Sequence, residues 1–123
     1  MKYMIMIYGN AESRAVFERL SPAQVTEGLG AYEALRTDLA AAGEFVVSEA
    51  LADPADGRRL SVDEDGAITT DGPFAEAKEH LAGFFLVDCE DMATAVRHAS
   101  RIPEAAHGLV EVRPVRDLSD FRP

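Results

Sequence analysis

"SPAQVTEGLGAYEALRTDLAAAG", residues 21–43, is the segment from which the fold can be read. Ser21 followed by Pro22 is an N-cap with proline at the first helical position, where a missing N–H and a fixed φ cost nothing. Val25, Leu29, Tyr32, Leu35 (or Ala34) and Leu39 then recur at helical spacing, and Gly43 follows as a C-terminal cap. The spacing predicts one helix over about 22–42 with a single apolar face. Gly28 and Gly30 each lower its propensity by roughly 1 kcal/mol relative to alanine. Close packing of the helix against a sheet is the expected reason, and room for a ligand beside its first turns is the alternative.

Strand signals lie on both sides of this helix. "KYMIMIY" (2–8) is a continuous apolar run, too short for a signal-peptide core or a membrane crossing, and reads as the first strand. "GNAESRAVFERL" (9–20) mixes turn and charge as a loop, with a helical turn around Ala15 to Leu20. "EFVVSEAL" (44–51) reads as a strand and "ADPADG" as a turn. "RRLSV" and "AITT" then flank Asp63-Glu64-Asp65-Gly66 as a hairpin. "LAGFFLVDC" (81–89) is a further strand. Asp91 caps a second helix with an inner face of Met92, Ala95, Val96, Ala99 and Ile102, ended by Pro103. "GLVEVRPV" (108–115) is the last long strand, and "RDLSDFRP" (116–123) a surface tail.

The order β-α-β, hairpin, β-α-β predicts a ferredoxin-like α+β fold: a split βαβ with an antiparallel sheet, both helices on one face, and an extra β-hairpin. One domain over residues 1–115 accounts for it. The first strand and "FFLV" are apolar on both faces, whereas a sheet with one face in water should alternate. The simplest cover for the second face is the same face of another copy. That is a two-fold homodimer of stacked sheets, of the dimeric α+β barrel type.

Net charge is −10, from 22 acidic and 12 basic residues. The only adjacent basic pair, Arg58-Arg59, is flanked by Asp53, Asp56 and Asp63, so nucleic acid and anionic membranes are not expected partners. A single cysteine, Cys89, excludes an intramolecular disulfide and a zinc cluster, and suits a reducing cytoplasm. No dinucleotide, Walker, nucleophile-elbow, HExxH or CxxC motif is present. His80, His98 and His107 are scattered, so neither a metal nor a cofactor is expected. His98 lies off the apolar stripe and reads as solvated, and His107 as a surface loop residue. Cys89 precedes Glu90-Asp91, which disfavours a thiolate.

What remains is "TDGPFAEAKEH", residues 70–80. With "KYMIMIYG" at the start and "RIPEAAHGLVEVRPV" at the end, it resembles the DGPF-type branch of the YCII-related family over residues 1–115. The resemblance implies a dimeric ferredoxin-like domain with a cavity at or near the dimer interface and a cytoplasmic bacterial setting. It implies no firmly assigned reaction, and many relatives are encoded beside sigma factors. A His–Asp pair is thought to serve the wider family, with the histidine near the start of the first helix. Gln24 stands there in "SPAQVTE", so that mechanism does not carry over.

The motif itself makes a plausible small site. Gly72-Pro73 bends the chain and Phe74 would pin the loop into the core, letting Asp71 and Lys78 face each other as an ion pair. Partial burial would tune either one for acid or base work, with Glu79 beside them. Lys78 is one of only two lysines against ten arginines, as if a compact ammonium were needed. Glu76 and His80 would pair across one turn if the segment is helical. An Asp71–Lys78 pair that merely clamps the turn explains the same residues. Tyr8, Tyr32, Phe74 and Arg113 are further candidates for lining a substrate cavity. Two functions follow. One is a cofactor-free homodimer that binds or transforms a small anionic or carbonyl-bearing metabolite at its interface, with catalysis itself left open. The other is a non-catalytic regulatory or accessory module linked to sigma-factor-dependent transcription.

Overall fold

The computed structural model describes residues 1–71 and 78–123. Four strands, β1 (Lys2–Asn10), β2 (Phe45–Ala50), β5 (Glu79–Asp88) and β6 (Val110–Pro114), form one sheet in the order β2-β5-β1-β6. All three neighbouring pairs are antiparallel. Each βαβ unit thus straddles a strand of the other, which is the ferredoxin-like arrangement. β3 (Arg59–Val62) and β4 (Ile68–Asp71) make a separate two-stranded sheet, the expected extra hairpin. Its loop is held as read: Asp63 Oδ1 accepts from the Asp65 and Ala67 amides, both at 2.9 Å, and Gly66 takes φ +83°.

The long helix, α2 (Pro22–Ala41), begins on Ser21, whose side chain accepts from the Gln24 amide while the Gln24 side chain accepts from the Ser21 amide. Such a reciprocal cap satisfies two N–H groups that the helix cannot bond itself. α3 (Met92–Ala99) is capped by Asp91, whose Oδ1 accepts from the Thr94 amide and hydroxyl. These bonds hold the Asp91 carboxyl below its usual pKa. Leu35 and Leu39 of α2 and Ala95 and Ala99 of α3 join Tyr3, Ile5, Ile7, Phe85 and Val87 in one buried cluster. Both helices therefore cover the same face of the sheet.

Several expectations are corrected. Residues 9–20 contain a full helix, α1 (Ala11–Glu18), because Asn10 and Ser13 form a second capping box that the sequence reading missed. Leu29, Met92 and Val96 are exposed. α2 and α3 bury only the stripe nearest the sheet, so the apolar faces read from spacing were too wide. Gly28 and Gly30 face open space, which overturns the close-packing reading, and nothing in the structure explains them. His98 is not solvated: its Nε2 lies 3.3 Å from Glu44 Oε2, with the two side chains 21% and 23% exposed. β5 begins at Glu79, so His80 lies in a strand, and the helical Glu76–His80 pairing fails at that end. Glu76 lies outside the described residues.

The opposite face of the sheet carries Met4, Met6, Phe84 and Leu86, which pair across β1 and β5 and are half-buried. Its two-sided apolarity is thus real in the folded chain. One close approach secures the sheet edge. A Cβ on Gly83 would sit 2.9 Å from the carbonyl oxygen of Glu49 on β2. Backbone cannot yield cheaply, so Gly83→Ala is expected to destabilise the fold by about 1–3 kcal/mol in urea unfolding. Gly28→Ala, with nothing near its Cβ, should instead stabilise by up to about 1 kcal/mol. A neutral Gly83→Ala would remove the close-approach account.

Candidate functional site

The chemistry-bearing side chains gather where β1 and β5 end together. Ile7 pairs with Gly83 but Tyr8 pairs with Leu81, so Ala82 is the extra residue of a β-bulge. Beyond it Gly9 faces His80 and Asn10 faces Glu79. Side chains alternate along a strand, so this one-residue slip reverses the two that follow. Glu79 comes to the open side of the sheet with Tyr8, and His80 comes to the side of Gly9. A Cβ on Gly9 would lie 2.8 Å from His80 Nε2, so the imidazole rests where only glycine leaves room.

On the open side, the Tyr8 hydroxyl donates to Glu111 Oε1 at 2.9 Å. Glu111 and Arg113 reach that side because Val110 and Val112 of β6 pack against the core, and Arg113 pairs with Met4 across β1. A shallow cavity of about 400 Å³ is lined by Tyr8, Glu79, Gly108, Val110 and Glu111. Gly108, at φ +70°, turns the chain from the 3-10 segment Pro103–His107 into this strand. The Glu111 bond is the first reason that the Tyr8 phenol lies above its ordinary pKa, with burial and the charges of Glu111 and Glu79 adding and Arg113 opposing. The phenol therefore stays protonated at neutral pH and serves as a hydrogen-bond donor, not a base.

Of the residues singled out in the sequence, Tyr8, Glu79 and Arg113 are thus brought together. Asp71 ends β4 opposite Arg59, and Lys78 immediately precedes β5; both are exposed. Among the described residues no ion pair joins them, and the partial burial invoked for their chemistry is not seen. Gly72, Pro73 and Phe74 lie outside the described residues. Tyr32 belongs to a different place. Its hydroxyl donates to the carboxylate of Glu104, tying α2 to the 3-10 segment after α3. Burial first, and then this bond, push the Tyr32 phenol well above its usual pKa.

Gln24, standing where the resemblance places a histidine, is engaged in the cap of α2. Cys89 is buried, and that burial, reinforced by the Glu44 charge, raises its thiol pKa. Both features make it a poor nucleophile. Among the described residues no three His, Cys, Asp or Glu side chains gather as a metal-ligand set. No described helix is long and apolar enough to cross a membrane. Glu111 is the functional candidate that sequence reading missed. The alternation in "LVEVRPV" puts it on one face with Arg113, but only strand register shows that Tyr8 lies beside them.

An antiparallel sheet with helices on one face, in this strand order, defines an α+β domain of the ferredoxin-like class. Matched over residues 1–119 by the family model of the YCII-related domain, the chain belongs to the YCII-related family. A stretch of 50 residues is 46% identical to an uncharacterised protein of Rhizobium meliloti (strain 1021), covering 39% of this chain and 40% of that protein. The alignment thus spans less than half of that relative.

The Tyr32–Glu104 bond has a pH signature. A phenol raised in the folded state stabilises the fold fully below the unfolded pKa of about 10 and loses that contribution as pH climbs past it. Stability measured from pH 8 to about 11 should fall at the top of that range. Tyr32→Phe should flatten that fall. An unchanged slope in the variant would show that the bond does not form in solution.

Proposed function

We propose that this YCII-related chain, of the family's DGPF branch, is a homodimer that binds or transforms a small metabolite without a cofactor at the rim of its open sheet face. The observation that carries the reading is the adjacency of two surfaces. Half-buried Met4, Met6, Phe84 and Leu86 form an apolar platform, with Tyr8, Glu79 and Glu111 at one end of it and Arg113 alongside, opposite Met4. Fully burying such an apolar side chain is worth about 1.5–3 kcal/mol, and the remaining part of that gain awaits a partner. A second copy, stacked by a two-fold axis, offers the same platform in return.

The chemistry of the rim favours a carbonyl group over a full anion. Two carboxylates, Glu79 and Glu111, oppose one guanidinium, Arg113. A neutral carbonyl oxygen can take the Tyr8 proton as a hydrogen bond once the phenol turns from Glu111 to the ligand, leaving Glu79 or the released Glu111 carboxylate to accept a proton from the adjoining carbon. Arg113 suits a carboxylate elsewhere on the same molecule. Asp71 and Lys78, at the approach to Glu79, supply further charge in this reading. The cytoplasm is the compartment that the lone cysteine suits.

A second reading has its own support. Leu60, Val62 and Ile68 share one face of the β3–β4 hairpin and are 65%, 58% and 67% exposed. An isolated two-stranded hairpin is marginal in water, so an apolar face of this kind fits a protein partner. This favours the accessory module linked to sigma-factor-dependent transcription, in which no metabolite is needed.

Size-exclusion chromatography with multi-angle scattering tests the dimer: the wild-type chain is expected at twice its monomer mass, and Phe84→Glu at one. A monomeric wild type overturns the stacked-sheet arrangement. For the site, a metabolite thermal-shift screen should give a hit that Tyr8→Phe and Glu111→Gln each weaken by tenfold or more. If a hit survives Asp71→Asn and Lys78→Ala unchanged, those two residues lie outside the site. If no metabolite shifts the melting temperature, the accessory reading stands instead.

A further inference from the structure

The open face of the sheet carries charges in an order that strand register makes explicit. Tyr3, Ile5 and Ile7 of β1 and Val110 and Val112 of β6 belong to the core side, so Lys2, Met4, Met6 and Tyr8, with Glu111 and Arg113, take the other. These residues form rungs that cross the sheet, successive rungs lying two residues apart along each strand. One rung runs Arg113, Met4, Leu86, Val47, and the next runs Glu111, Met6, Phe84, Glu49. Lys2 lies one rung beyond the first, and Tyr8 one rung beyond the second. Lys2, Glu49, Glu111 and Arg113 are exposed, and among the described residues none has an ion-pair partner.

Two of the two-fold axes that would stack a second copy on this face keep the strands aligned. An axis along the strands, through the middle of the sheet, lays β6 on the partner's β2 and each rung on its own copy. Glu111 then meets the partner's Glu49, carboxylate against carboxylate. An axis across the strands, midway between the two rungs, lays each strand on its own copy and each rung on the other. The Met4–Leu86 rung then covers the partner's Met6–Phe84 rung, Glu111 meets the partner's Arg113, and Tyr8 meets the partner's Lys2. Stacked sheets lie about 10 Å apart, a gap that long side chains reaching from both sides can close. Like charges facing each other across an interface repel, and opposite charges fix the register. The crosswise axis is the one that these charges select.

We propose that two copies stack about this crosswise axis, so that the cavity at Tyr8, Glu79 and Glu111 is closed by Lys2 and Arg113 of the partner subunit. The arrangement rests on the stacked-sheet homodimer proposed above and adds the residues that each copy lends to the other. A lone chain then carries only half of each site.

Sedimentation velocity of the full chain over a dilution series, at constant ionic strength, tests the arrangement. Glu111→Arg and Arg113→Glu should each weaken self-association by about tenfold or more, because like charges then face each other. The double variant Glu111→Arg/Arg113→Glu leaves the net charge unchanged and should recover most of the wild-type association. Mixed in equal amounts, the two single variants should pair with each other more tightly than either pairs with itself. If a reversed variant does not fold, Glu111→Gln carries the test: it weakens a dimer in which Glu111 faces Arg113 and tightens one in which it faces Glu49. The arrangement is overturned if Glu111→Arg or Glu111→Gln tightens the dimer, or if the double variant does not recover. It is also overturned if both single variants associate as the wild type does, as crossed sheets would allow. In each of these cases a dimeric wild type leaves the stacked-sheet reading standing, whereas a monomeric wild type removes both.

Discussion

The pairing of β1 with β5 is the constraint on which everything else depends. It runs from Lys2–Asp88 to Asn10–Glu79 and sets two apolar strands side by side at the centre of the sheet. One face of the pair, Tyr3, Ile5, Ile7, Phe85 and Val87, is the floor on which Leu35 and Leu39 of α2 and Ala95 and Ala99 of α3 pack. The hydrophobic gain is concentrated there because these are the strands with neighbours on both edges. Losing that register would move every buried side chain of one strand to the other face.

The same pair also creates the chemistry at its end. Regular pairing up to Ile7 keeps the core dry. The bulge at Ala82 then breaks the alternation and sends Glu79 and His80 to opposite sides. The cavity at Tyr8, Glu79 and Glu111 therefore lies beside this irregularity, with His80 on the other side of the sheet. Gly9 and Gly83 flank that bulge, and each lets something approach that a side chain would exclude. Polar groups are affordable at this point because the sheet is ending and water is near.

Much of the fold was legible because local signals agreed with one another. Ser21-Pro22, Asp91 and the Asp63–Gly66 turn each determine backbone geometry through groups a few residues apart, and the structure bears out each. The α1 cap was equally local, in Asn10 and Ser13, but it lay beneath a charged stretch with no apolar stripe. The wide apolar faces read for α2 and α3 failed for a different reason. Periodicity reports which residues share a helix face, not how much of that face a four-stranded sheet can cover.

The sequence by itself determined the order of the strands and of the two helices that pack on the sheet, and the two-sided apolarity of the central strands, since short-range spacing encodes both; its motifs carry the resemblance to the family. It also brought Tyr8, Glu79 and Arg113 forward as candidates, though not as neighbours. Only the tertiary structure decided that Glu111 joins them, that His98 meets Glu44, and that Tyr32 belongs with Glu104. These contacts span 54 to 103 residues and depend on how the helices and strands pack, while the sides taken by Glu79 and His80 depend on a register that a single extra residue reverses. No local pattern in the chain states where that residue falls.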